Sequence, residues 1–596
     1  MKKTLSVILS LLLVVLINSS CKKDFAQEQY TATITPIKPD LSVKLRANFS
    51  GFVTDENDAA IIGAKVIAGD KETLTDEYGY FHLENALVPE QAGLVKVTKD
   101  NYFSAYKTVL PKAGKESFIR ISLLPKNNAG SINGSTGGSV TISGGANLFL
   151  PVNGVIIASS GIPYTGSVQV AAQFIDPSQI KAAQQRAPGD GRGIDKEGSL
   201  RLLNSYSMLA VELSSPSGER LQIATGKQAT LTMPVPATMR STAPASIDLW
   251  SFDESTGLWK QENTAVKNGD SYTAMVSHFS FWDGAVGVPL VQLNAQIVNN
   301  ALQPLANVAV GIRVAGQPFN AGYSAFGFTD VNGNVSGAVP ANRQLVLNVL
   351  TPCETEAFSK DFTTTNSNID LGVITGNLGQ SLVTITGTVT DCNNQPVTNG
   401  YVQTYDNGFN NRINIVNGSF SYTGLACSST TASYVAIDKT TNQQSTVQAV
   451  TLTTGTHNLG TLSACGTSIL GFINYTIDGI PGTLTDPGDT LAGFHNTIGP
   501  GYTTILPLHN DPVLGTAFQF EITGPATVAG THTVQEIFSY KFPGGRGLTS
   551  SPFNITITEF GPAGGFISGS FSATVGDFST GAPHTVSCTF RIKRWA

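Results

Sequence analysis

The sequence is short of charge. Only 13% of its 596 residues are Asp, Glu, Lys or Arg, against about 25% in ordinary soluble domains. Long surface helices draw on Glu, Lys and Arg, so few are expected. A basic surplus is also lacking: 36 Lys and Arg face 42 Asp and Glu, for a net charge of −6. Nothing here would neutralise a phosphate backbone, so nucleic acid is not an expected partner. The longest apolar run, Leu5 to Ile17, has 13 residues, short of the roughly 20 needed for a spanning helix. The chain carries no G-x-S-x-G elbow, no Walker-type glycine loop, no H-E-x-x-H, no H-x-x-E of a metallocarboxypeptidase and no C-x-x-C pair. What it has instead is 61 Gly, 29 Pro and 41% hydrophobic residues. That composition excludes wholesale disorder and fits packed cores joined by many turns. The length suits about three to five domains.

Residues 1–21 read as an export leader. Lys2 and Lys3 precede the apolar run, and Ser19 and Ser20 lead into Cys21. This resembles a bacterial lipoprotein signal, in which the peptidase cuts before the cysteine and the cysteine takes the lipid. Asn18 departs from the aliphatic residue usual at its position. Cys21-Lys22-Lys23-Asp24 is similar to the mature start of many Bacteroidetes lipoproteins. The resemblance implies lipidation at Cys21 and attachment to the outer membrane through that lipid. Residues 22–46, with Pro36 and Pro39, read as a tether.

From Ala47 onward, short alternating strands are broken by turn residues. The stretch Pro177 to Arg186 is the exception and reads as helical. It runs into Pro188-Gly189-Asp190-Gly191, expected to be an exposed loop. A pattern recurs three times. The first unit holds Gly51-Phe52-Val53-Thr54-Asp55, Gly63-Ala64-Lys65-Val66 and Thr75-Asp76-Glu77-Tyr78-Gly79-Tyr80-Phe81. A later unit holds Gly387-Thr388-Val389-Thr390-Asp391, Gly400-Tyr401-Val402 and Asn417-Gly418-Ser419-Phe420. Between them lies a weaker copy: Ala295-Gln296-Ile297-Val298, Leu305-Ala306-Asn307-Val308 and Thr329-Asp330-Val331-Asn332-Gly333-Asn334-Val335. The last two units end alike, with Ile369-Asp370-Leu371-Gly372-Val373 and His457-Asn458-Leu459-Gly460-Thr461.

Val53, Val66 and Phe81 fall at inward positions of their strands. Gly79 ends a hairpin turn that needs φ > 0. Each unit is therefore expected to be a small antiparallel β-sandwich. The quoted residues resemble the carboxypeptidase regulatory-like domain, a transthyretin-like sandwich, over 47–125 and 378–465, and 289–377 resembles a divergent regulatory-like or Ig-like sandwich. That resemblance implies an extracellular accessory role and no peptidase activity, because the peptidase domain is a separate module.

Residues 126–288 read as a different β-sandwich, closing on Leu249-Trp250-Ser251-Phe252-Asp253, Gly257-Leu258-Trp259 and Tyr272 to Trp282. It resembles a module of cartilage intermediate layer proteins, and the β-sandwich of zonula occludens proteins and netrin receptors. Residues 466–596 form a C-terminal β-domain, with strands at Ile555-Thr556-Ile557-Thr558-Glu559-Phe560 and Cys588-Thr589-Phe590-Arg591-Ile592-Lys593. It is similar to C-terminal domains of Bacteroidetes lipoproteins. The expected fold is all-β: an array of small sandwiches behind a lipoprotein signal, arranged as a stalk.

Four of the six cysteines, Cys353, Cys392, Cys427 and Cys465, cluster at the junction of the last two repeats. Disulfides are the first reading in an exported chain. Four cysteines allow three pairings; the preferred one is Cys353–Cys392 with Cys427–Cys465. Zinc is disfavoured, since no histidine cluster adjoins them. Cys588 is left as a buried thiol. His278 reads as a packed histidine in an aromatic corner, and Trp250, Trp259 and Trp282 as core rather than a sugar platform. Asp330-Val331-Asn332-Gly333-Asn334 has the oxygen spacing of a calcium loop, but its glycine sits early and no acidic residue closes it, so a hairpin turn is preferred. Asp489-Thr490-Leu491 matches the short Bacteroidetes O-glycosylation pattern.

No catalytic residue, metal site or cofactor is assigned. The expected function is a lipid-anchored surface accessory protein, a structural scaffold or a binding and adhesion module. Its partners would be the membrane and an extracellular glycan or protein. The alternative is an extracellular glycan or peptide hydrolase with an unrecognised site, which two suitably placed carboxylates would create.

Overall fold

The computed structural model describes residues 37–594, apart from 77, 180–183, 318–323, 377–381, 407–408, 428–430, 442, 466, 469–470, 486–490, 497–501, 508–517, 524–529, 540 and 561–565. The regular structure is almost wholly β. In the first unit, strand Lys44–Thr54 is central in a three-stranded sheet. It runs antiparallel to Tyr80–Pro89 and parallel to Glu116–Ser122. A four-stranded sheet of Lys71–Leu74, Lys65–Ala68, Gly93–Thr98 and Ala105–Val109 covers it. Alternation drives the packing. Residues of Gly93–Thr98 alternate buried and half-buried, and Phe49, Val53, Val66, Phe81, Val95, Val97 and Ile121 meet in one core.

Both later repeats reproduce this three-stranded sheet. Leu290–Val298 pairs antiparallel to Asn334–Pro340 and parallel to Ile369–Thr375. Leu382–Thr390 does the same with Ser419–Leu425 and Gly455–Ser463. Thus the weak middle copy shares the arrangement of its neighbours. The shared sequence endings have a structural cause. The parallel register slips between Asn294 and Gln296 opposite Asp370–Val373, and between Thr386 and Thr388 opposite Asn458–Thr461. Each slip holds an extra residue, a bulge with glycine at positive φ: 63° for Gly372 and 69° for Gly460. The preceding Asp370 and Asn458 side chains accept the glycine N–H at 2.8 and 2.9 Å.

The turn after each first strand is also shared. Asp55, Asn299 and Asp391 each accept two backbone N–H groups on one side-chain oxygen. The third residue beyond each is left-handed: Asp58, Leu302 and Asn394.

Residues 128–288 build a thirteen-stranded assembly. Its aromatic cluster does not stop at the sequence boundary. Phe103, Tyr106 and Leu124 of the first sandwich pack with Trp250, Phe252, Trp259 and Phe281. Of the expected helix, Gln184–Arg186 is helical and 180–183 lie outside the described residues. Pro188 and Gly189 are not exposed as expected; both are buried. The Gly189 N–H donates to the Tyr106 carbonyl at 3.0 Å, which pins the loop between the two modules. The C-terminal segment forms a nine-stranded antiparallel sheet. It curls until Gly493 bridges Arg594, around a filled core including Phe518, Phe520 and Phe590.

The preferred disulfide pairing is wrong. The bonds are Cys353–Cys427 and Cys392–Cys465. The reason is the parallel pairing of first and last strands. Thr390 lies opposite Ser463, so the chain two residues beyond each emerges at the same end, with Cys392 and Cys465 Cα atoms 4.7 Å apart. Cys353–Cys427, with Cα atoms 5.7 Å apart, staples the third sandwich to the fourth.

The modules do not follow one another as a stalk. The first sandwich touches the third, the fourth and the last. Arg120 lies over the rings of Phe52, Phe118 and Phe328 and donates to the Asn410 carbonyl at 2.9 Å. Arg412 lies against Tyr80 and Tyr401, 3.9 and 3.6 Å from their ring centres, and pairs with Asp76 at 2.6 Å. The Lys593 ammonium sits 4.3 Å from the Tyr78 ring centre.

Candidate functional site

The clustering leaves a cavity of about 450 Å³ where the first, second and third modules meet. Its lining comes from strands Ala105–Val109 and Glu116–Ser122, from the 184–191 segment and the adjoining sheet, and from Ala325–Phe328 and Asn334–Pro340. That volume is in the usual range for small-molecule sites.

Three buried ionisable groups line it. Asp283 stands on strand Phe281–Val288, in register with Met208 and Trp250. It is 1% exposed. One flanking pair is irregular here: the register with Leu200–Ser214 slips between Ser205 and Ser207, while the register with Ser246–Asp253 is continuous. Bulges re-aim side chains and are common beside functional sites. Asp283 Oδ2 accepts from Ser205 Oγ at 2.5 Å. Oδ1 has no hydrogen-bond partner among the described residues. Burial drives the carboxyl up to about 7, opposed only by the serine hydrogen bond.

Lys107 is the second group. Its Nζ donates to the carbonyls of Gln184 and Ala187. Burial pulls the ammonium down to about 7, against the pull of Asp190. Asp190 itself accepts from Arg192 Nε at 2.7 Å. Arg120, the third, is lowered to about 10 by burial.

The residues singled out from sequence fall elsewhere. Cys21 and the 489–490 part of the glycosylation pattern lie outside the described residues. Cys353, Cys392, Cys427 and Cys465 are all in disulfides. Cys588 is a buried thiol whose pKa burial pushes far up. Trp250, Trp259 and Trp282 are each 1% exposed, so no ring face is available to a sugar from solvent. His278 leans on Trp282 with ring centres 4.9 Å apart and meets Glu262 at 3.1 Å. That hydrogen bond holds the Glu262 carboxyl below its ordinary range. Asp330 Oδ1 accepts the N–H groups of Asn332 and Asn334 at 2.8 Å, the geometry of a self-capped hairpin turn.

Sequence reading missed Asp283, Lys107 and Arg120. A signal existed. Asp283 and Lys107 are each a lone charge within an otherwise apolar or neutral strand, Phe-Trp-Asp-Gly-Ala-Val-Gly-Val and Ala-Tyr-Lys-Thr-Val, and Arg120 shares its strand with one other charge, Glu116 at its start. Charges are rarely buried without a partner or a purpose.

No family model matches this chain. It is 35% identical over 133 residues to human cartilage intermediate layer protein 2, covering 21% of this chain and 10% of that protein. It is 25% identical over 226 residues to mouse cartilage intermediate layer protein 1, covering 35% of this chain and 18% of that protein. The matched segments therefore span a tenth to a fifth of those relatives' length. Among solved structures, a shaft pilin of Lactobacillus rhamnosus GG is 11% identical, covering 30% of this chain and 98% of the pilin, with a TM-score of 0.17. The major pilin subunit of Bacillus cereus is 10% identical, covering 56% of this chain and all of the pilin, with a TM-score of 0.13. Scores this low add nothing to the β-character already visible in the strand pairing.

Proposed function

We propose that this chain is an exported accessory protein of a bacterial surface, anchored by lipid on Cys21, that works as a scaffold and binding module and not as a catalyst. The observation that carries the reading is the pair of disulfides, Cys353–Cys427 and Cys392–Cys465. Such bonds persist in oxidising compartments, which agrees with an export leader. Cys353–Cys427 also fastens the third sandwich to the fourth, and Cys392–Cys465 closes the fourth on itself. The turn shared by all three repeats and their common three-stranded sheet support reading them as carboxypeptidase regulatory-like domains. The partial likeness to proteins named for a cartilage layer supports an extracellular structural role. An extracellular glycan or protein is the partner proposed for the exposed loops at the sandwich ends.

The test has two arms. Cells expressing the full chain are labelled with an alkyne fatty acid, and intact cells are treated with protease. The reading expects label on the wild type, none on Cys21→Ser, and loss of the surface-exposed protein on shaving. Equal labelling of both, or full protection from protease on intact cells, overturns it.

A further inference from the structure

We infer that the cavity between the first three modules is a binding site for a small organic cation, whose ammonium or guanidinium N–H donors meet the Asp283 carboxylate. The inference goes beyond the scaffold reading and does not require the lipid anchor.

The argument begins with what the lining leaves unsatisfied. Asp283 Oδ1 is a buried acceptor without a donor among the described residues. So is Gln184 Oε1, on the same cavity. A buried acceptor left unmade costs about 1–3 kcal/mol, and more if charged. Four of the other lining ionisable groups, Lys107, Lys112, Asp190 and Asp330, are engaged. Lys107 is spent on two backbone carbonyls. Lys112 donates to Asn294 Oδ1 at 3.2 Å. Asp190 is neutralised by Arg192, and Asp330 caps its own turn. The unmet demand is therefore for donors beside a carboxyl. Ammonium and guanidinium groups carry donors and no acceptors. A hydroxylated ligand would bring lone pairs needing donors of their own, and the Ser205 hydroxyl beside Asp283 is already used. Met208, Trp259, Phe326 and Phe328 line the remainder and suit an apolar body behind the cationic head.

The experiment is isothermal titration of the full chain with phenethylammonium, n-butylammonium and agmatine, with n-butanol and butyrate as controls. Saturable binding of one ammonium or guanidinium probe per chain is expected. Asp283→Asn should weaken it at least tenfold. Gly337→Phe serves as a second variant, since a Cβ at Gly337 meets nothing within 4 Å and the position lines the cavity. It should block binding while keeping the β circular dichroism spectrum, which keeps the inference testable if Asp283→Asn does not fold. Absence of saturable binding by every cation overturns the proposal. So does equal binding of n-butanol, or cation binding that neither variant changes.

Discussion

A carboxyl buried inside a sheet with one donor and no paired cation among the described residues makes stability depend on its proton. Unfolded, Asp283 ionises near 3.8; folded, it does so at about 7. Between those values the native chain holds a proton that the unfolded chain has released. Stability present at acid pH is therefore lost as pH rises toward 7. At ~1.4 kcal/mol per unit, about 3 kcal/mol should disappear between pH 5 and 8. Asp283→Asn should remove that slope and be the more stable form at pH 8. Urea unfolding followed by tryptophan fluorescence reads the right module, because Trp250, Trp259 and Trp282 all lie in it. Lys107 titrates in both proteins and cancels in the comparison. Leu302 is a second residue in tension with its backbone: φ is 60° and the side chain is 69% exposed. Asp58 and Asn394 hold the equivalent positions. Leu302→Asn should stabilise the third module by about 1 kcal/mol, seen as a raised calorimetric midpoint.

Among elements, the bulged last strand is the feature that makes the last two repeats alike and sets them apart from the first. Gly460 has open space around its missing Cβ, so a larger side chain there meets backbone strain alone. Gly460→Val should cost about 1–2 kcal/mol without perturbing the core, measured by chemical denaturation beside Gly337→Ala as a control, where φ is not left-handed and a Cβ meets nothing within 4 Å. This element was legible from sequence only as a repeated Leu-Gly ending. Its role was not, because the partner strand lies about 70 residues upstream and pairs in parallel. The hairpin at Asp76 to Gly79 was legible, since its chemistry is local: Asp76 Oδ1 accepts from Tyr78 and Tyr80, and Gly79 turns at φ 72°. The disulfides show the same divide. Their four cysteines could be named from the sequence, and their partners depended on strand order.

At the scale of the whole molecule, the first sandwich is a hub. Arg412 is an anchor there, buried between Tyr80 and Tyr401 and paired with Asp76. Arg412→Met leaves Asp76 unpaired at the interface. It should cost about 3 kcal/mol and speed proteolytic cleavage between the first and fourth modules. Limited trypsinolysis with mass spectrometry locates the cuts. Cys392–Cys465 closes a loop with a sequence separation of 73. Loop-closure entropy puts its contribution at about 4 kcal/mol. Cys392→Ser with Cys465→Ser should lower the melting of the fourth sandwich and leave that of residues 128–288 in place, as a calorimetric scan of separate transitions would register.

Low charge, abundant glycine and proline, and period-two alternation determined by themselves that this is a chain of small β-sandwiches, since burial of alternate side chains and the geometry of tight turns are local matters. Which sandwich faces which, which cysteines join, and that Asp283 borders a cavity were decided by tertiary structure alone. Those outcomes depend on contacts between residues as many as several hundred positions apart, and on desolvation that only the packed neighbours impose.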